Sequence, residues 1–149
     1  MTPVFKHSWS LLFGRPALTA IQIIFLIEAV GRGIDYAYPA GVTPLTLATV
    51  EQAAPIRWWG MALIVCVIAV VVAQVTHRPA LAVVGEVVLG ALILALGGSL
   101  FLAVADKPYM DGFRTGLTLV CVGATHVAIA YAIARNNLLW RWSNAAAAR

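Results

Sequence analysis

The stretch that most constrains this chain is Trp58 to Thr76, W-W-G-M-A-L-I-V-C-V-I-A-V-V-V-A-Q-V-T, which carries no charge between Arg57 and His77. At about 1.5 Å per residue, roughly 19 helical residues cross a hydrocarbon core of about 30 Å. Only a helix or a closed barrel satisfies its backbone in lipid, and this run lacks the alternation of a barrel strand. It reads as a transmembrane helix, so its neighbours must be membrane elements as well. Hydrophobic residues make up 62% of the chain and charged residues 11%. Soluble domains average about 45–50% apolar and about 25% charged. The balance therefore excludes an ordinary soluble domain and points to one all-α polytopic membrane domain over residues 1–149.

Four spans are expected, over about 16–38, 58–76, 80–105 and 115–134. Pro16 opens the first, and Glu28, Arg32 and Asp35 share one face of its second half. Glu28 precedes Arg32 by four residues, the favourable order for an ion pair, so these three form a candidate outer-leaflet ion cluster. Two short amphipathic helices should rest on the membrane surface. One covers 4–13, with Phe5, Trp9 and Leu12 on one side. The other covers 44–53, with Thr43 as cap, Pro44 in the first turn, and Leu47, Val50 and Ala54 on one face. Trp9, Trp58, Trp59, Trp140 and Trp142 fall at predicted interface depth and read as anchors. His77, Arg78 and Pro79 form a tight turn. Residues 135–149 read as a basic tail.

An even number of spans puts both termini on one side. That side collects Lys6, Arg15, Arg78, Arg135, Arg141 and Arg149 and no acid. The opposite side balances Arg32, Arg57, Lys107 and Arg114 with Asp35, Glu51, Asp106 and Asp111. The positive-inside rule makes the first side cytoplasmic, as expected for a bacterial inner-membrane protein. The net charge of +4 is accounted for by this asymmetry and calls for no nucleic-acid partner. The partners implied are the lipid bilayer and a second copy or another membrane protein.

Ionisable groups at membrane depth are costly and mark function by default. Counted from the cytoplasmic ends, Gln22 lies about 9 Å deep, Glu86 about 9–10 Å and His126 about 12 Å. Three spans thus bring polar groups to one level. Glu86, Gly90, Ile93 and Gly97 form one stripe, and Gly116, Leu119, Gly123, His126 and Ala130 another. Small residues let membrane helices approach closely, so Gly90, Gly97, Gly116 and Gly123 are predicted helix contacts. Glu86 and His126 then face the interior or a neighbouring subunit. Two roles stay open: a proton site or water-lined path, and an interhelical hydrogen bond that only holds the bundle. Cys66 and Cys121 read as small buried hydrophobes. No nucleotide loop, metal-ligand spacing or nucleophile motif is present, so the sequence names no cofactor, no metal and no catalytic residue.

Two resemblances bear on function. L-A-T-V-E-Q-A-A-P-I-R-W-W-G, Leu47 to Gly60, resembles the loop-into-helix segment of small four-span membrane proteins of actinobacterial phages, some of them holin-like. That likeness implies oligomerisation in the inner membrane, with helices able to line a lesion. L-I-E-A-V-G around Glu28 is similar to the glutamate site of the small multidrug-resistance transporters, which implies proton-coupled export. The chain departs from those transporters in its long first loop, its extra termini and Arg32 one turn after the glutamate. The leading expectation is a non-enzymatic, holin-like or membrane-associating oligomer. The alternatives are a small proton-coupled transporter and an accessory subunit or exclusion factor that binds another membrane protein.

Overall fold

A computed structural model describes residues 15–39, 48–105 and 113–147. It is all-helical, with no strand among the described residues. The elements are α1 (Arg15–Ala37), α2 (Ala48–Ala53), α3 (Ile56–Val75), α4 (Pro79–Ala105) and α5 (Phe113–Ala147). Three of them, α3, α4 and Phe113–Asn136 of α5, are long and apolar enough to cross a membrane. The helix expected over 4–13, with Trp9, lies outside the described residues. So do the cap Thr43–Pro44, the first part of the helix expected over 44–53, and the loop with Asp106, Lys107 and Asp111.

The core of α3 is rich in valine and isoleucine, residues that in water favour strands. It is helical here because a span with no water to bond must satisfy its amides internally. Its inward face is Ile56, Gly60, Leu63, Val67, Val70 and Ala73. The remainder points out, with Val65, Ile68 and Val75 all more than half exposed. Only 28–39% of each apolar window is buried inside the protein. An outer surface of that composition is compatible with a membrane.

Neighbouring helices run antiparallel. The close approaches that show it are Gly33 to Gly60 for α1 and α3, Gly85 to Val70 for α3 and α4, and Gly90 to Gly123 for α4 and α5. α4 and α5 form the most extensive pair, α3 lies between α1 and α4, and α1 touches α5 only sparingly. α2 leans on α4 and buries Val50 in the core cluster. The ends of α1, α3, α4 and α5 therefore alternate along the bundle.

The α3–α4 turn is tight because it closes a Schellman motif. Arg78 N donates to Ala73 O (2.8 Å) and His77 N to Gln74 O (3.2 Å). His77 takes the left-handed conformation that glycine usually fills, with φ 53°. Pro79 follows in the first turn of α4, where its missing N–H costs nothing. At the other end Trp59 Nε1 donates to Ala54 O at 3.2 Å, which satisfies a carbonyl left over by α2. Trp59 is thus half-buried, while Trp58 is exposed like an interface anchor.

Two expectations need correction. The basic tail is not a tail: α5 runs on through residues 140 and 142 to Ala147. No proline or glycine follows Ala134, and the last residues are mostly alanine, the best helix former. Cys121 is exposed on the outer side of α5, whereas Cys66 is partly buried. Cys121 precedes Gly123 by two residues and so falls off the inward stripe.

Candidate intramembrane polar site

Gln22 stands about two turns into α1, and Glu86 about two turns into α4. His126 comes from α5 between Gly123 and Ala130, on the stripe that faces α4. The fold brings the three side chains together. Gln22 Nε2 donates to Glu86 Oε1 at 2.6 Å. The other carboxylate oxygen, Glu86 Oε2, lies 2.6 Å from His126 Nδ1. Glu86 and His126 are wholly buried, and Gln22 nearly so.

Glycine makes the room. A Cβ on Gly90 would stand 2.9 Å from Gly123 O and 3.3 Å from His126 Cβ. A Cβ on Gly97 would meet Leu119 Cβ at 2.9 Å and Gly116 O at 3.1 Å. The pairs Gly90/Gly123 and Gly97/Gly116 keep one antiparallel register, and that register sets Glu86 beside His126. Three hydroxyl groups of α4 and α5 stay within their own backbone. Ser99 donates to Leu96 O, Thr118 to Arg114 O and Thr125 to Cys121 O, each at 2.8 Å.

The contact between Glu86 Oε2 and His126 Nδ1 fits more than one placement of its hydrogen. A carboxylate alone in this interior would be strongly disfavoured. Either of two arrangements keeps the pair neutral: a carboxylic acid donating to Nδ1, or an imidazolium donating from Nδ1 to the carboxylate. In both, the second ring nitrogen, Nε2, also carries hydrogen. It is buried and has no hydrogen-bond partner. The Phe25 ring lies beside the imidazole, with centroids 6.0 Å apart and planes tilted by 59°.

No family model, curated protein or solved structure matches this chain.

The outer charged group behaves differently from the expectation. Arg32 Nε donates to Glu28 Oε1 in an ion pair, both side chains just over a quarter exposed. Asp35 is exposed and joins no ion pair among the described residues. Glutamate four residues before arginine has the reach and the favourable order. Aspartate three residues after it has a shorter arm and turns outward. Glu28 Oε2, like His126 Nε2, is buried without a partner. Trp140 and Trp142 fall within the described helix, and their side chains are outside the described residues.

Phe25, Gly33, Gly60 and Gly85 are site or contact residues that sequence reasoning did not single out. Gly33 and Gly60 pack α1 on α3, with Gly60 against the α1 backbone from Gly33 to Ala37. Phe25 had a signal, since it follows Gln22 by three residues and shares its face.

Proposed function

We propose that the chain is a small, non-catalytic inner-membrane protein of four spans, α1 being the first, that works by associating within the bilayer in a holin-like manner. The observation that carries this reading is the closure of the polar layer. Glu86 and His126 are fully buried and bonded to each other and to Gln22, while the outer faces of α3, α4 and α5 offer lipid or a second copy an almost wholly apolar surface. The buried triad itself offers no exposed polar group for a substrate to meet. A gathered ring of copies could turn the same layer towards a lesion. Two observations support α1 as a span. It spans the levels from Gln22, bonded to Glu86 of α4, to Gly33 and Ala37 beside Gly60 of α3, and after Arg15 its charged residues gather in its second half. The excess of Lys and Arg beside both termini supports a cytoplasmic location for them.

Induced expression in bacteria tests the reading. Membrane potential is followed by dye while oligomers are trapped by a membrane-permeant cross-linker. A delayed, abrupt collapse of potential together with a cross-linked ladder is the expected result. A steady potential at high expression, with the protein monomeric, would overturn it. A second reading, a small proton-coupled transporter, is favoured by one feature, the buried contact between two ionisable groups, Glu86 and His126. It requires proton flux that depends on a substrate, which the association reading does not.

A further inference from the structure

The inward face of α1 is Gln22, Leu26, Ala29, Gly33 and Tyr36, all buried. Its outward surface divides into two halves. One half is aliphatic, with Ile23, Ile27 and Ile34 largely exposed. The other carries Ile24, Glu28, Gly31 and Asp35 at i, i+4, i+7 and i+11, with Arg32 beside them, and each of these is half-buried or exposed. That is the spacing of a helix–helix seam. A Cβ on Gly31 would have nothing within 4 Å. Its small size therefore serves no packing among the described residues, although small residues are what lets membrane helices approach closely.

Depth sets this half apart. Gly33, next to Arg32, packs on Gly60 and Ile64, and Ile64 stands near the midpoint of α3 (Ile56–Val75). The Glu28–Arg32 pair, just over a quarter exposed, is thus level with the middle of an apolar span. Lipid solvates charge poorly at that depth, so ionisable groups there face protein or water. The pairing is also incomplete, since Glu28 Oε2 has no partner.

We infer that this half of α1 docks on the same half of α1 in a second copy. The inference rests on the proposed association in the bilayer and on α1 as a span. Copies inserted with one topology meet about a two-fold axis along the membrane normal, which sets like residues at one level. Two glutamates and two arginines then stand at alternate corners of a ring, and each carboxylate meets two guanidiniums. Arg32 spends Nε on Glu28 Oε1 of its own chain, and a guanidinium has further donors for the unpartnered oxygen across the axis. Gly31 gives the close approach, and Ile24 adds apolar contact one turn below Glu28. Asp35 lies nearer the α2 end, where water can reach it.

The full-length chain carrying two different tags, co-expressed in bacteria, tests the interface by how much of one tag co-purifies with the other. Glu28→Lys leaves two positive charges at these positions and Arg32→Glu two negative ones. Each variant should associate with itself about tenfold more weakly than the wild type, a change of about 1.4 kcal/mol. The two variants expressed together should return to the wild-type yield. Neither can remake the pair within its own chain, so that rescue comes only from across the interface. If either variant does not reach the membrane, cross-linking with wild-type charges decides. With Cys66 and Cys121 as serine, a short membrane-permeant thiol cross-linker should bridge Ile24→Cys into a dimer. It should not bridge Ile23→Cys, about 100° round the helix on the aliphatic half. Unchanged self-association of the single variants, no recovery in the mixture, or equal bridging at the two positions would each overturn the interface and leave association standing. A wild-type chain that neither co-purifies nor bridges would sink the association reading, and this interface with it.

Discussion

At the scale of single residues, the polar triad is the feature whose energetics can be dissected. Glu86 uses both oxygens, one for Gln22 and one for His126. Removing one member of a buried pair strands the other, at about 3–5 kcal/mol, whereas removing both leaves no stranded charge. Glu86→Gln and His126→Gln should therefore each lower thermal stability in detergent strongly, and the double variant less than their sum. A coupling of about 1–3 kcal/mol in a double-mutant cycle is the expected result, and additive losses would show the two side chains acting independently. The meeting of these residues was legible from depth and small-residue stripes alone. The role of Phe25 was not, because an apolar residue in an apolar span carries no compositional signal. His77 supports a second prediction. Its left-handed backbone strains a residue that has a Cβ, so His77→Gly should raise stability by up to about 1 kcal/mol, read as a higher melting temperature. A lower one would mean that the exposed imidazole makes a contact worth more than the strain.

At the scale of elements, close packing rests on glycines that differ sharply in what surrounds them. A Cβ on Gly60 would meet Gly33 O at 2.6 Å and Tyr36 C at 2.8 Å, both of them backbone, whereas nothing lies within 4 Å of one on Gly31. Backbone cannot rotate away, so Gly60→Ala should push α1 off α3 and cost about 1–3 kcal/mol. Gly31→Ala should be neutral or stabilising, since it removes only the flexibility of a helical glycine. On the other interface, Gly90→Leu should separate α4 from α5, and Leu92→Ala, on a different face, should be milder. Equal melting temperatures within either pair would refute the contact faces. The spacing of the glycines in α4 and α5 disclosed that interface because each helix carries a pair one heptad apart, Gly90 and Gly97 on α4 and Gly116 and Gly123 on α5. α1 carries Gly31 and Gly33 two residues apart and α3 carries Gly60 alone, so no heptad spacing pairs Gly33 with Gly60. Helix bounds were legible where a proline or a charge marks them, as at Pro79. They were not legible at the end of α5, where the drop in hydropathy marks the end of apolar character but leaves helix propensity intact.

At the scale of the whole molecule, the argument turns on how many times the chain crosses the bilayer. α3, α4 and α5 meet the length and composition of a span, and their alternating ends dictate that the His77–Arg78 turn and α2 sit at opposite ends of the bundle. If α1 crosses too, both termini share the side of the turn, which is where the unbalanced arginines lie. If α1 stays outside the hydrocarbon, Glu86 faces lipid or water in place of Gln22, at a desolvation cost that the hydrogen bond at 2.6 Å otherwise offsets. Single cysteines decide this in a background where Cys66 and Cys121 are serine. Gln52 on α2 and Thr76 beside the turn are both exposed. An impermeant thiol reagent on intact cells should label Gln52→Cys directly and Thr76→Cys only after the membrane is opened. The reverse pattern would invert the protein, placing its basic end outside against the charge rule. A third cysteine at Thr19 of α1, close to the level of Gln22, then tests the fourth span. Protection from the reagent on both sides of the membrane is expected. Ready labelling in sealed cells or in inverted vesicles would leave a three-span protein whose first helix lies outside the bilayer.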